Sequence, residues 1–105
     1  MIYQTSLSQT QYTKLAGLAK ARRWSLSEAA REVLFNLYRN RTRFPFMGAV
    51  MVQENQNSTE RIFTLGNLVV PAEIEKWVLG EAEYHNVRRG AIVRAAINLY
   101  QIDEE

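Results

Sequence analysis

The sequence predicts a mainly α-helical fold that carries a small antiparallel β ribbon. Three observations lead to this prediction. Two β-type segments each precede a pair of helical segments, serine-based capping signatures mark helix starts in the first half, and both halves of the chain follow the same plan at an offset of 63 residues. With 105 residues and no cysteine, the chain has room for one compact core and excludes disulfides, thiolate zinc sites and cysteine catalysis.

The first half predicts one strand and two helices. The strand covers residues 2–7, where polar residues alternate with Ile, Tyr, Thr and Leu. Ser8 stands three residues before Gln11, and Ser25 stands three residues before Glu28, so each serine is expected to cap a helix. The second helix should end near residue 39, because apolar residues recur at helical spacing up to that point: Ala29, Ala30, Val33, Leu34 and Leu37.

A basic connector, residues 40–60, separates the two halves. Arg41 and Arg43 precede Pro45, which is expected to end any helix. The β-prone run at 49–52 predicts an extra strand over 49–54. Such a strand could form a hairpin with the β-prone run at 61–65, or could join the ribbon as a third strand.

The second half, residues 61–105, repeats the order of strand, helix, turn and helix. Pro71 suits the first turn of a helix, and the acidic Glu73 and Glu75 favour the same helix end. His85 and Asn86 predict a turn, and the last helix is expected over 88–101. At the 63-residue offset, apolar positions largely coincide, as in Leu7 with Val70, Leu15 with Val78, Ala30 with Val93 and Leu34 with Ile97.

The segment Ser25–Leu34, with the sequence SLSEAAREVL, resembles the ribbon-helix-helix family of DNA-binding regulators. Residues 70–74 and 87–97 resemble the same unit. The resemblance implies that the strands of two units pair into an antiparallel ribbon and that four helices interlock around one core. Both halves lie on one chain, so we expect units at 1–39 and 61–105 to form an intrachain pseudo-dimer; a homodimer of tandem units is the alternative.

The resemblance also implies sequence-specific binding of double-stranded DNA, with the ribbon in the major groove. Side chains alternate along a strand, so with Thr5 and Leu7 facing the core, Gln4 and Ser6 face the groove. With Leu68 and Val70 inward, the outward residues of the second strand are Leu65, Asn67 and Val69. We expect Gln4, Ser6 and Asn67 to read bases.

Phosphate contacts are expected where the family seats the start of its second helix on the DNA backbone. Ser25 and Ser27 hold this place in the first half, with Arg22 and Arg23 in the preceding turn; Arg88 and Arg89 hold it in the second half. Flanking backbone contacts could come from Arg39, Arg41 and Arg43. Charge agrees with this assignment, because residues 1–44 carry eight basic and two acidic residues, a net charge of +6.

Other functions fit the sequence less well. No phosphate-binding glycine loop, nucleophile–base set or metal-ligand spacing is present, so we expect neither an enzyme nor a cofactor or metal. No run is long and apolar enough to span a membrane, and no signal peptide is evident, so a cytoplasmic regulator, most simply a repressor, is expected in a prokaryotic cell or in the host of a plasmid or virus. The alternative is a protein-interaction module or antitoxin-like protein whose second half, with a net charge of −4, binds a partner protein.

Overall fold

The computed structural model describes residues 2–56 and 60–101, with the side chains of residues 2–4 and 67 outside that description. The fold is mainly helical with a small two-stranded antiparallel sheet, which confirms the predicted class. The elements in chain order are β1 (Ile2–Ser8), α1 (Gln9–Arg22), α2 (Leu26–Arg39), a 3₁₀ turn (Arg41–Arg43), α3 (Met47–Gln56), β2 (Arg61–Val69), α4 (Ala72–His85) and α5 (Arg89–Leu99). None of the helices in these ranges has the length and apolar character that crossing a membrane requires.

The predicted extra strand over 49–54 is wrong, because this part of the connector forms α3. Met51 and Glu54 are both buried, and their spacing of three residues places them on one face of a helix. A strand would turn these two side chains to opposite faces. Packing of this face against α5 therefore overrides the β propensity of the valines. The alternative hairpin is also wrong, since β2 pairs with β1.

The sheet contains a register shift that changes which residues of β2 face inward. Tyr3 pairs with Leu68 and Thr5 pairs with Leu65, so β2 has one residue more than β1 between these pairs. An extra residue reverses the inward and outward alternation beyond it. Leu65 and Leu68 are consequently both buried. The prediction that Leu65 faces outward is wrong for this reason, whereas Val69 is exposed as predicted.

The core forms between helices of the two halves and the inner face of the sheet. α2 packs against α5, α2 also contacts β2, and α5 contacts β1, so the second helix of each half lies on the strand of the other half. α5 is the most buried element, and every residue from 91 to 97 is buried. The largest fully buried side chains come from both halves: Leu7, Leu15, Leu34, Leu37, Met51, Leu68, Ile74, Ile92 and Ile97.

The turns that join the paired helices repeat at the predicted offset of 63 residues. α1 and α4 begin and end 63 residues apart, and each is followed by a residue in the left-handed region, Arg23 with φ 59° and Asn86 with φ 54°. The Trp24 N–H donates to the Ala19 carbonyl at 2.8 Å, and the Val87 N–H donates to the Ala82 carbonyl at 3.0 Å. These bonds close both helix ends in the same way.

The left-handed backbone of Arg23 provides a test of this turn. We expect Arg23→Gly to raise the free energy of unfolding by about 0.5–1 kcal/mol, because glycine removes the Cβ strain of this conformation and loses part of that gain to backbone entropy. Lys20→Gly, in the regular part of α1, should instead lower it by about 1 kcal/mol. Urea unfolding followed by circular dichroism measures both, and a loss of stability in Arg23→Gly would contradict the assigned conformation.

Candidate functional site

The outer face of the two-stranded sheet is the first part of the candidate site. Ile62 and Val69 are 54% and 51% exposed there, and Thr64 is also exposed. Ser6 is half-buried, and its carbonyl accepts a hydrogen bond from Arg94 Nη1 at 3.3 Å. Within residues 2–56 and 60–101 the sheet has no third strand. The ribbon that the sequence predicted therefore has a face that α3 does not cover with a strand.

The two other predicted base readers fall outside the described side chains. The backbone of Gln4 belongs to β1 and that of Asn67 to β2. Asn67 lies at the register shift of the sheet, between the pairs that Leu65 and Leu68 form. Their membership of the two paired strands is as predicted, and their role stays a prediction.

The start of α2 is the second part of the candidate site. The Glu28 N–H donates to Ser25 Oγ at 3.1 Å, and the Ser25 N–H donates to Glu28 Oε1 at 3.2 Å, which confirms the predicted capping box. Ser25 Oγ acts here as an acceptor, so its own proton can still be donated to another group. Arg22 and Arg23 are exposed in the adjoining turn, and Ser27 is half-buried. These four predicted phosphate-contact residues, which we call the α2-start cluster, surround one helix N-terminus.

The start of α5 differs from that of α2 because α3 lies against it. The N–H of Arg88, the N-cap residue, donates to Asn55 Oδ1 of α3 at 2.9 Å. Arg88 and Arg89 are both exposed. The two helix starts correspond in position, Ser25 and Arg88 being 63 residues apart, but the second is capped from the connector and not by its own side chain.

A cleft of about 620 Å³ adjoins the start of α5. It is lined by parts of β1, β2, the end of α3 and the start of α5, and three of its lining residues, Asn55, Arg61 and Arg94, did not figure among the predicted site residues. The sequence contained one signal for Arg94, since it is a charged residue within the apolar stretch from 91 to 97. The cleft itself depends on how α3 packs, which no local pattern indicates.

A buried polar junction centred on Glu54 fixes α3 to the core. Glu54 Oε1 accepts from Gln11 Nε2 of α1 at 3.0 Å and from Arg94 Nε of α5 at 2.9 Å, and Glu54 Oε2 accepts from Asn98 Nδ2 at 3.2 Å. Glu54 and Arg94 are only 5% and 6% exposed. Burial lowers the pKa of the Arg94 guanidinium, and Arg61 and Arg88 lower it further, whereas Glu54 opposes them.

The three arginines predicted to flank the DNA lie at the other end of α2. Arg39 forms an ion pair with Glu32 at 2.9 Å, and its guanidinium lies 4.6 Å from the centre of the Phe35 ring. Arg41 lies over the Tyr38 ring at 4.2 Å, and Arg43 is exposed. A 14-residue helix is about 20 Å long. The structure therefore does not bring these arginines together with the α2-start cluster.

Comparison with known proteins does not assign a family. No protein-family model matches the chain, and no significant match is found among curated proteins or solved structures. The functional interpretation consequently depends on the residues and their geometry.

Proposed function

We propose that this protein binds double-stranded DNA through the ribbon formed by β1 and β2 and acts as a small transcriptional regulator of the ribbon-helix-helix type. The observation that carries the proposal is the antiparallel pairing of β1 with β2, with the second helix of each half packed on the strand of the other half. This is the plan that the resemblance implies for two interlocked units. A two-stranded ribbon has dimensions that fit the major groove of B-DNA.

The proposed pseudo-dimer places both units on one chain. The equal offset of α1 from α4, and of the two left-handed turns that follow them, supports this arrangement. The cross-packing of α2 on β2 and of α5 on β1 supports it as well, because each unit would otherwise leave its apolar face without a partner. We expect light scattering to give the mass of a monomer, about 12.2 kDa. A dimer with no detectable monomer at micromolar concentration would favour the homodimer of tandem units.

Base reading is assigned to Gln4, Ser6 and Asn67 on the ribbon. The amide groups of Gln and Asn can donate to and accept from one adenine edge, and a serine hydroxyl can bond to several bases. The backbone carbonyl of Ser6 is already held by Arg94, which supports a fixed orientation of this part of β1. The neighbouring exposed apolar residues, Ile62 and Val69, could contact thymine methyl groups.

The double variant Gln4→Ala, Ser6→Ala tests this assignment. We expect discrimination between the preferred duplex and a scrambled duplex, the preferred one being found by selection from random sequences, to fall about tenfold or more, because each well-placed base contact contributes about 1–3 kcal/mol. Binding to the scrambled duplex should change little. The exposed pair Gln9→Ala, Thr13→Ala in α1 serves as the control. Unchanged discrimination in the first variant would remove β1 from base reading.

Backbone contact is assigned to the α2-start cluster in the first half and to Arg88 and Arg89 in the second. A helix N-terminus attracts phosphate through its unpaired N–H groups and its dipole, and the adjoining arginines add charge. The capping box leaves the Ser25 hydroxyl proton available for a phosphate oxygen. The corresponding position in the second half supplies the guanidinium of Arg88.

Binding of a partner protein is the second candidate function. A groove of about 760 Å³ runs between α3 and α4 and is lined in part by Phe44, Met47 and Val52. Tyr84 lies at this groove and is 83% exposed, which is unusual for a large aromatic side chain. The two functions differ in their response to salt, because binding through phosphates weakens steeply as salt rises.

A further inference from the structure

The cleft at the start of α5 concentrates positive charge. Four arginines line it, Arg61 from β2 and Arg88, Arg89 and Arg94 from α5 and its N-cap, and none of the described lining residues is acidic. The charge of Arg94 is balanced by Glu54, which pairs with its Nε at 2.9 Å. The guanidinium of Arg94 is near enough to Arg61 and Arg88 for their charges to lower its pKa. A bound anion would relieve this repulsion.

The walls of the cleft also offer neutral hydrogen-bond donors. Gly90 lies in the first turn of α5, where backbone N–H groups lack partners within the helix. A Cβ at position 90 would lie 3.1 Å from Arg94 Nη1, so glycine keeps this approach open. Thr5 also lines the cleft and is 3% exposed, and its hydroxyl oxygen has no hydrogen-bond partner among the described residues. A buried hydroxyl without a partner is uncommon in native proteins.

We propose that this cleft binds a small free phosphate-bearing anion, such as inorganic phosphate or a phosphomonoester, through Arg61, Arg88 and the start of α5. The volume of about 620 Å³ falls within the range of small-molecule sites. Guanidinium groups bind phosphate oxygens through paired, charge-assisted hydrogen bonds. A phosphomonoester carries up to two negative charges, which suits several arginines better than the single charge of a DNA phosphodiester. The inference goes beyond DNA binding and does not rest on it.

Titration with inorganic phosphate at constant ionic strength tests the proposal, with the ¹⁵N–¹H signals of the full chain as the readout. We expect saturable shifts centred on Gly90 and Thr5. Arg88→Gln and Arg61→Gln should each weaken phosphate binding about tenfold, the effect of losing one charge-assisted bond. Arg31→Gln is the matched control, because Arg31 is an exposed arginine that corresponds to Arg94 at the 63-residue offset, and it should leave the affinity unchanged.

A titration with duplex DNA separates the source of the phosphate. Shifts at Gly90 with duplex DNA but none with free phosphate up to tens of millimolar would overturn the inference and leave the DNA-binding proposal intact. Saturable phosphate binding without any duplex binding would support the inference and contradict the DNA-binding proposal. Equal weakening by Arg31→Gln and Arg88→Gln would overturn the inference, since it would indicate a general charge effect. A loss of fold in either cleft variant shows in the dispersion of the spectrum, and Arg88→Lys then replaces it, with the expectation that phosphate binding is retained in part.

Discussion

Replacing Glu54 by alanine is expected to lower the free energy of unfolding by about 3–5 kcal/mol, the largest effect of any single substitution considered for stability. The carboxylate accepts hydrogen bonds from Gln11, Arg94 and Asn98, and it lies within a nearly solvent-free junction of α1, α3 and α5. Without it the buried guanidinium of Arg94 has no counter-charge in the junction. The loss therefore consists mainly of the cost of an uncompensated buried charge. Urea unfolding followed by circular dichroism measures this loss.

Two further variants make the Glu54 result specific. Glu54→Gln keeps one carbonyl acceptor and should cost less than the alanine variant. Glu32→Ala removes a carboxylate from the exposed pair with Arg39 and should change stability by at most about 1 kcal/mol. Equal losses in Glu54→Ala and Glu32→Ala would contradict the buried junction and with it the position of α3.

Reversing two charges of the α2-start cluster, Arg22→Glu with Arg23→Glu, is expected to weaken binding to all duplex DNA about 100-fold at roughly 0.1 M salt. Each substitution removes one phosphate contact, and the slope of log affinity against log salt should decrease by about 2. Preference among sequences should stay the same, because these side chains contact the backbone and not the bases. Fluorescence anisotropy with a preferred and a scrambled duplex measures both quantities.

The matched control carries the same change in net charge at the other end of α2. Arg41→Glu with Arg43→Glu reverses two exposed arginines about 20 Å from Ser25. That distance exceeds the Debye length of about 10 Å at 0.1 M salt, so its effect on affinity should be several-fold smaller. Equal effects of the two double variants would show that net charge dominates and that the α2-start cluster has no special role.

Local signals in the sequence were sufficient for most helix positions. Ser8 and Ser25 form the capping boxes that their spacing predicts, and Asn86 ends α4 in the left-handed conformation that Asn tolerates well. These features depend on bonds between residues three to five apart. A single sequence displays such bonds directly, because the partners lie within one helical turn.

Features that depend on distant packing were not predictable in the same way. The segment 49–54 has β-prone valines, and only the burial of Met51 and Glu54 against α5 selects a helix. The inward position of Leu65 depends on an extra residue in β2 that pairing with β1 reveals. The cleft formed by Arg61, Arg88 and Asn55 depends on both, since α3 brings Asn55 to the start of α5.

Binding of a mixed-sequence duplex by the unmodified protein at two salt concentrations tests the central proposal most directly. With Arg22, Arg23, Arg88 and Arg89 each contacting one phosphate, the affinity should fall about 100-fold between about 50 mM and about 200 mM salt. Fluorescence anisotropy of the labelled duplex gives both affinities in one format. Saturable binding at the lower concentration with this steep fall is the result that we predict. Absence of binding to any duplex at the lower concentration would contradict the proposal that the β1–β2 ribbon is a DNA-binding element.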